Sequence, residues 1–412
     1  MNRIIIVGNG FDLAHGLKTK YEDFINWYWE NAWKKLQKCI TFVYKDDLLS
    51  IKLKYSGYCI CNYFQATPQS DNIYNYIVSL QNGDNYVDNV EISPFLERIS
   101  KSIETKGWVD IEADYYTMLK ECKGKKDELE RLNKDFAIIQ GLLVEYLNEI
   151  QEKQIDESIL CDSIKSAMLS PLSKDEIALS SNVKWTYFVH DRARDESSIG
   201  AFSHLLHDYE IFDLNSDKIK DLLKRNQTAI LFDGEFRDQE AKILLLPNRI
   251  MLLNFNYTNT ADIYLPDNPR FIINHIHGKL SKPESVIFGY GDESDDEYKA
   301  IVKQNDNEYL KHIKTNRYLE DDKYRQLLSF INSDAYQVCI MGHSCGLSDK
   351  TMLNTLFEHE NCVSIKPYYY VNDQGKNNYL DMVQNISRSF TNPQLMRDRV
   401  VNKTFCETLP QG

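Results

Sequence analysis

Long apolar runs are missing from this chain: nowhere in its 412 residues is there anything near the roughly 18 uninterrupted apolar positions of a membrane-spanning helix. Positive charge is also short. Against 61 Asp and Glu stand 48 Lys and Arg, a net charge of −13, which opposes long-range attraction to a phosphate backbone. Neither a membrane nor nucleic acid is expected as a partner, and the basic stretch 123–126 reads as a solvated loop. The nine cysteines are scattered, which argues for reduced thiols rather than a disulfide framework. Their one close pair, Cys59-x-Cys61, lacks a second pair at zinc-site spacing, so no metal is expected. Internal repeats and low-complexity tracts are absent too. The apolar run 4–7 is too short for the core of a signal peptide and is explained by a strand, which gives the expectation of a cytoplasmic protein.

What is present suits a folded protein with a large core. Hydrophobic residues make up 42% and charged residues 26%, enough for two domains or for one α/β domain with a long insertion. The most informative segment is Ile4-Ile5-Ile6-Val7-Gly8-Asn9-Gly10-Phe11-Asp12. Its β-branched run, broken by Gly-x-Gly, reads as a buried parallel strand followed by a turn able to approach a ligand phosphate. A plain tight turn explains the same residues. The dinucleotide fingerprint of dehydrogenases is incomplete, since its third small position is Leu13. The acidic residues Glu22 and Asp23 come too early for a ribose ligand, which disfavours hydride transfer.

Residues 21–38 carry Phe24, Ile25, Tyr28, Trp29 and Ala32 at helical spacing and read as a first crossover helix. From 41 to 245 strands are hard to find, while 127–152 is strongly helical in pattern. This region reads as a mostly helical insertion, with turn signals at Ser56-Gly57, Pro68 and Ser170-Pro171. Within it, 185–190 fits a strand or a core helix, and 200–232 reads as helical. Beyond 249 the α/β rhythm returns, with candidate strands at 250–255, 271–276, 286–288, 336–341 and 364–371. Ser348-Asp349 reads as a helix N-cap. The expected organisation is a parallel α/β sheet built from 1–40 and 246–375, an insertion over 41–245, and a C-terminal extension over 376–412.

In open α/β sheets ligands bind outside the carboxyl ends of the strands, which singles out four groups. They are Gly8-Asn9-Gly10-Phe11-Asp12, Asn254-Phe255-Asn256-Tyr257-Thr258, His275-Ile276-His277-Gly278 and Gly342-His343-Ser344. If His275 and His277 both lie on a strand, they share one face. Gly342-His343-Ser344-Cys345-Gly346 also fits the nucleophile elbow of α/β-hydrolases. That fold needs a later acid and histidine, yet the only later histidine is His359, inside the helix expected to follow. The acidic stretch 292–297 reads as a solvated loop rather than a nuclease centre.

The run Val-Gly-Asn-Gly-Phe-Asp-Leu-Ala-His-Gly near the start, and the segment from Gly342 to Glu360, resemble the AbiH family of bacterial phage abortive-infection proteins. More distantly, the four loops are similar in order to those of the sirtuin-like, Rossmann-like NAD-binding fold. That resemblance implies a parallel sheet flanked by helices, with NAD as substrate or ligand. It implies Asn256 near the nicotinamide–ribose bond, orienting water or the carboxamide, His277 facing the ribose as candidate base or ribose-hydroxyl partner, and Gly8, Asn9, Gly10, Phe11, Gly342, His343 and Ser344 around ribose and phosphates. Asp12 is then expected to stabilise a ribose cation, to orient His277, or to cap the following helix. The four-cysteine zinc module of sirtuin deacylases has no counterpart, and position 258 is Thr where an acidic residue is usual. The implied activity is hydrolysis of NAD or a related nucleotide in phage defence, compatible with a phage-derived trigger and with self-assembly. The alternative is a sensor that holds a nucleotide without turning it over, and a third reading is a toxin-like protein acting through partner contacts alone.

Overall fold

The computed structural model describes residues 1–38, 43–54, 73–80, 87–106, 109–155, 157–193, 196–293 and 295–411. Its strands are β1 (Asn2–Val7), β2 (Val43–Lys45), β3 (Leu49–Leu53), β4 (Val87–Ile92), β5 (Ile250–Asn254), β6 (Phe271–His275), β7 (Tyr336–Met341) and β8 (Cys362–Tyr368). The chain folds into two compact units. The first contains Met1–Leu17, Gln154–Ile287 and Tyr318–Gly412; the second contains Lys18–Lys153 and Phe288–Arg317.

A five-stranded sheet of order β6-β5-β1-β7-β8 organises the first unit. All neighbours run parallel, with Ile5 opposite both Leu252 and Cys339. Every residue of β1 is buried, as expected of a strand covered on both faces. Alternation then sends its side chains into two cores. Ile4 and Ile6 pack with Met251, Leu253, Val338 and Ile340, whereas Ile5 and Val7 pack with Leu252, Cys339 and Met341. Each such aliphatic side chain contributes roughly 1.5–3 kcal/mol when taken from water. Counted along the sheet's own strands the order is 3-2-1-4-5. The chain steps outward through β5 and β6, then crosses back to the far side of β1. That reversal places a topological switch between β1 and β7, where open α/β sheets form a crevice at the strand carboxyl ends.

The helical segment expected to loop out of the sheet is divided. Ile164, Trp185, Phe202, Leu222 and Leu245 share a core with Ile5 and Val7, so the stretch from 154 onward belongs to the first unit. Residues 185–190 lie in the helix Asn182–Arg192, where the Trp185 indole N–H donates to the Gly234 carbonyl at 2.9 Å. The helices Glu196–Asp208 and Ser216–Asp233 account for 200–232. Residues 286–288 form no strand; the Ile287 N–H bonds the His277 carbonyl instead. Beyond 376, the helix Tyr379–Arg388 sends Met382 and Ile386 into the core with Ile4 and Ile6.

In the second unit, the helix Tyr21–Gln37 buries Phe24, Ile25, Tyr28, Trp29, Ala32, Trp33 and Leu36. It is thus no crossover of the parallel sheet; the short helix Asn9–Ala14 follows β1 instead. An antiparallel sheet of order β2-β3-β4 stands where no strands were expected. The 29-residue helix Lys126–Gln154 matches its sequence pattern, and Phe136 stacks on Phe288 at 4.7 Å. Lys125 and Lys126 pair with Glu128 and Glu130 at the surface. The acidic stretch 292–297 is not simply solvated. Asp292 is buried, while Asp295 caps the helix Asp296–Val302 and accepts from the Tyr116 hydroxyl. Cys59, Cys61, Ser56, Gly57 and Pro68 lie outside the described residues.

Candidate functional site

Strand register brings three of the four loops side by side, because Val7 stands opposite Asn254 on one edge and Met341 on the other. The glycine turn is packed directly on the loop after β7. Gly10 N–H donates to the Gly342 carbonyl at 2.7 Å, Gly8 N–H to Met341 at 3.3 Å, and Phe11 N–H to Gly8 at 2.8 Å. A Cβ on Gly8 would come within 2.6 Å of His343, and one on Gly342 (φ +76°) within 2.1 Å of the Phe11 nitrogen. The glycines therefore serve a close approach of protein to protein, and these three N–H groups are already committed. Phe11 is a core residue, fully buried against His15 and Tyr264. Asn9 and Ser344 are exposed, and the Ser344 carbonyl accepts from Asn385.

Beside the turn lies a buried polar cluster drawn from the ends of β1 and β5. Asp12, 2% exposed, accepts at Oδ2 from the Thr258 hydroxyl at 2.7 Å. The Thr260 hydroxyl approaches Thr258 at 3.3 Å. Half-buried Asn256 donates through Nδ2 to the Gly8 carbonyl at 3.0 Å, and its backbone N–H is held by Asn254 Oδ1 at 2.9 Å. Asp12 Oδ1 is buried without a hydrogen-bond partner. Burial pushes the Asp12 carboxyl up to about 6, while Thr258, Thr260 and Asn256 pull the other way. The carboxyl caps no helix: it lies inside the helix Asn9–Ala14, whose N-cap is Gly8.

The two histidines of the third loop separate. β6 ends at His275, so His277 sits in the following turn and the expected shared strand face does not exist. His275 Nε2 meets the Asp262 carboxylate at 2.8 Å, and Lys279 reaches that carboxylate at 3.4 Å. His277 Nε2 lies 3.0 Å from the Tyr318 hydroxyl and 3.3 Å from Asp349 Oδ1. His343 Nε2 lies 3.5 Å from Asp349 Oδ2, and the Phe255 ring packs on both imidazoles at 5.0 and 4.3 Å. His277 is therefore joined to the glycine turn through Phe255 and His343 rather than oriented by Asp12.

Sequence reading passed over Tyr318, Asp262 and the true role of Asp349. Asp349 does occupy the N-cap of the helix Lys350–Glu358, as its residue type suggested, but its side chain makes no capping hydrogen bond. Among the described residues no group of three or more His, Cys, Asp or Glu side chains is arranged to hold a metal ion. A shallow cleft of about 320 Å³, lined by Arg249, Met251, Ile272, Arg325 and Phe330, includes none of the strand-end residues. The chemistry therefore places the candidate site at the polar cluster, not at that cleft.

Sheet order and strand-end loops together define a doubly wound α/β protein with its polar cluster at the carboxyl ends of β1 and β5, beside the topological switch. The chain matches the family described as bacteriophage abortive infection AbiH over residues 4–370, and it belongs to that family. Membership implies a role in phage abortive infection. No curated protein matches the chain, and no solved structure does. No helix of the described residues is long and apolar enough to cross a membrane.

Proposed function

We propose that the strand-end cluster is a nucleotide-hydrolysing site that cleaves the nicotinamide–ribose bond of NAD, or the corresponding bond of a related nucleotide, as the effector step of abortive infection. The reading takes the sheet as sirtuin-like in the placement of its loops. The observation that carries it is the Asp12 carboxyl: buried, one oxygen unpartnered, and pushed up to about 6. Such a group lies near the pH at which a general base works best. Cleavage of the glycosidic bond leaves positive charge on the ribose, which the Asp12 carboxylate stabilises while taking a proton from the attacking water. Asn256, with donor and acceptor on one amide, orients that water or the nicotinamide carboxamide. His277 serves as the ribose-hydroxyl partner.

Purified protein incubated with NAD and a panel of nucleotides is expected to release nicotinamide from NAD. Asp12→Asn and Asn256→Ala should each lower the rate by about 100-fold or more while retaining the wild-type circular dichroism spectrum. Loss of none of the nucleotides, with tight binding of one, would replace this reading by the sensor; wild-type turnover in both variants would remove the assigned residues.

A further inference from the structure

One carboxylate facing two imidazoles is an unusual use of an N-cap residue. Asp349, His277 and His343 are 8%, 4% and 6% exposed; His277 comes from the segment Gln154–Ile287, and His343 and Asp349 from Tyr318–Gly412. At His343 the ring's proton has a defined place. The Cys345 backbone N–H donates to Nδ1 at 3.0 Å, so Nδ1 carries the lone pair, and the proton sits on Nε2, facing Asp349 Oδ2 at 3.5 Å. At His277, Nε2 faces both Asp349 Oδ1 at 3.3 Å and the Tyr318 hydroxyl at 3.0 Å. A hydroxyl can donate to that nitrogen or accept from it, whereas an ionised carboxylate can only accept.

We propose that Asp349 is a positioning residue that fixes the His277 proton on Nε2 and also accepts toward the Nε2–H of His343, tying the loop after β6 to the loop after β7 through one shared carboxylate. The tautomer of a histidine is set by the partner its ring nitrogen meets; here Asp349 sets that of His277, whereas the Cys345 backbone N–H sets that of His343. Among the titratable groups facing this trio are Tyr257 and Tyr318 against His277, and the buried Cys345 thiol beside Asp349. The functional use of the arrangement rests on the hydrolase reading above, in which His277 meets the ribose.

The test is nitrogen-15 NMR of the full chain with labelled histidine, the two rings assigned by His277→Gln and His343→Gln. Wild type should show both rings as the Nε2–H form. In Asp349→Ala no side-chain acceptor remains at His277 Nε2 and the Tyr318 hydroxyl is left to donate there, so the ring proton should move to Nδ1, while His343 stays Nε2–H with its N–H signal shifted upfield. In Tyr318→Phe, where the carboxylate is retained, His277 should keep the wild-type form. Unchanged His277 in Asp349→Ala with a native spectrum elsewhere would overturn the proposal, as would loss of the Nε2–H form in Tyr318→Phe. Nicotinamide release by Asp349→Ala should fall about 100-fold with KM little changed. Absence of any NAD turnover in wild type would instead count against the hydrolase reading, leaving the tautomer result to stand by itself.

Discussion

Replacing Asp12 by Asn should make the protein more stable at neutral pH than at acid pH relative to wild type, a pattern opposite to that of most carboxylates. Burial raises the folded-state value from the ordinary 3.8 to about 6. The difference is about 2, and each pKa step is worth 1.36 kcal/mol, so ionised Asp12 costs the folded state about 3 kcal/mol. The direction follows from which state loses its proton first. Below about pH 3.8 both folded and unfolded chains hold the proton and there is no cost. Between 3.8 and 6 the unfolded chain ionises while the folded chain does not, and stability falls as pH rises. Above about 6 the full cost is present. Asn does not titrate, so D12N escapes this loss, although a new buried amide N–H without a partner costs about 1–3 kcal/mol at every pH. Urea unfolding of both proteins at pH 4, 5, 6 and 7 separates the two effects. The variant-minus-wild-type difference in unfolding free energy should rise by about 2 kcal/mol from pH 4 to 7, with other groups cancelling in the comparison. Parallel pH profiles would show that Asp12 is not perturbed, and the principal support for the catalytic reading would go with it.

Gly342→Ala should destabilise by about 2–5 kcal/mol, since it combines a left-handed backbone with a forced overlap on the Phe11 nitrogen; exposed Ser344→Ala should stay within about 0.5 kcal/mol, and equal urea midpoints for the two would refute the loop-on-loop account. Among the thiols, Cys161 is partly exposed and pulled below its ordinary value first by the Ser163 hydroxyl, while full burial pushes the Cys345 thiol far up. Peptide mapping after limited iodoacetamide treatment of native protein should find Cys161 modified and Cys345 untouched, and early modification of Cys345 would mean that its loop opens.

How legible all this was in the sequence depended on whether a signal was local. The parallel strands were readable because a strand buried on both faces must be apolar throughout, as Ile4-Ile5-Ile6-Val7 and Val338-Cys339-Ile340-Met341 are. The antiparallel sheet of the second unit was missed despite alternation in Leu49-Ser50-Ile51-Lys52-Leu53, whose buried and open positions follow it, because five residues carry little weight beside long helical patterns. The expected strand at 286–288 was apolar for a different reason: its residues are buried without pairing in the sheet. Asn256, His277 and His343 could be nominated from the strand-end rule; Asn256 and His343 contact the turn at 8–10, while His277 reaches it only through Phe255 and His343. Their partners could not. Asp349 looks like a helix cap and Tyr318 like one tyrosine among 26, and only the fold places them against the same imidazole.

The closed state of the glycine turn bears on which end of a nucleotide this site can take. A phosphate cradle needs backbone N–H groups aimed outward, whereas those of Gly8, Gly10 and Phe11 donate to protein carbonyls. Beside the turn lies instead a buried carboxylate, its Oδ1 unpartnered and the Thr258 and Thr260 hydroxyls next to it. A buried carboxylate oxygen repels a phosphate and attracts a hydroxyl donor or a cation. The ribose hydroxyls and the positively charged nicotinamide ring of NAD meet that requirement, and its pyrophosphate does not. If the proposed NAD-hydrolysing reading holds, the nicotinamide riboside would therefore lie toward Asp12 and Asn256 and the phosphates away from the turn, the reverse of what the Gly-x-Gly sequence first suggests.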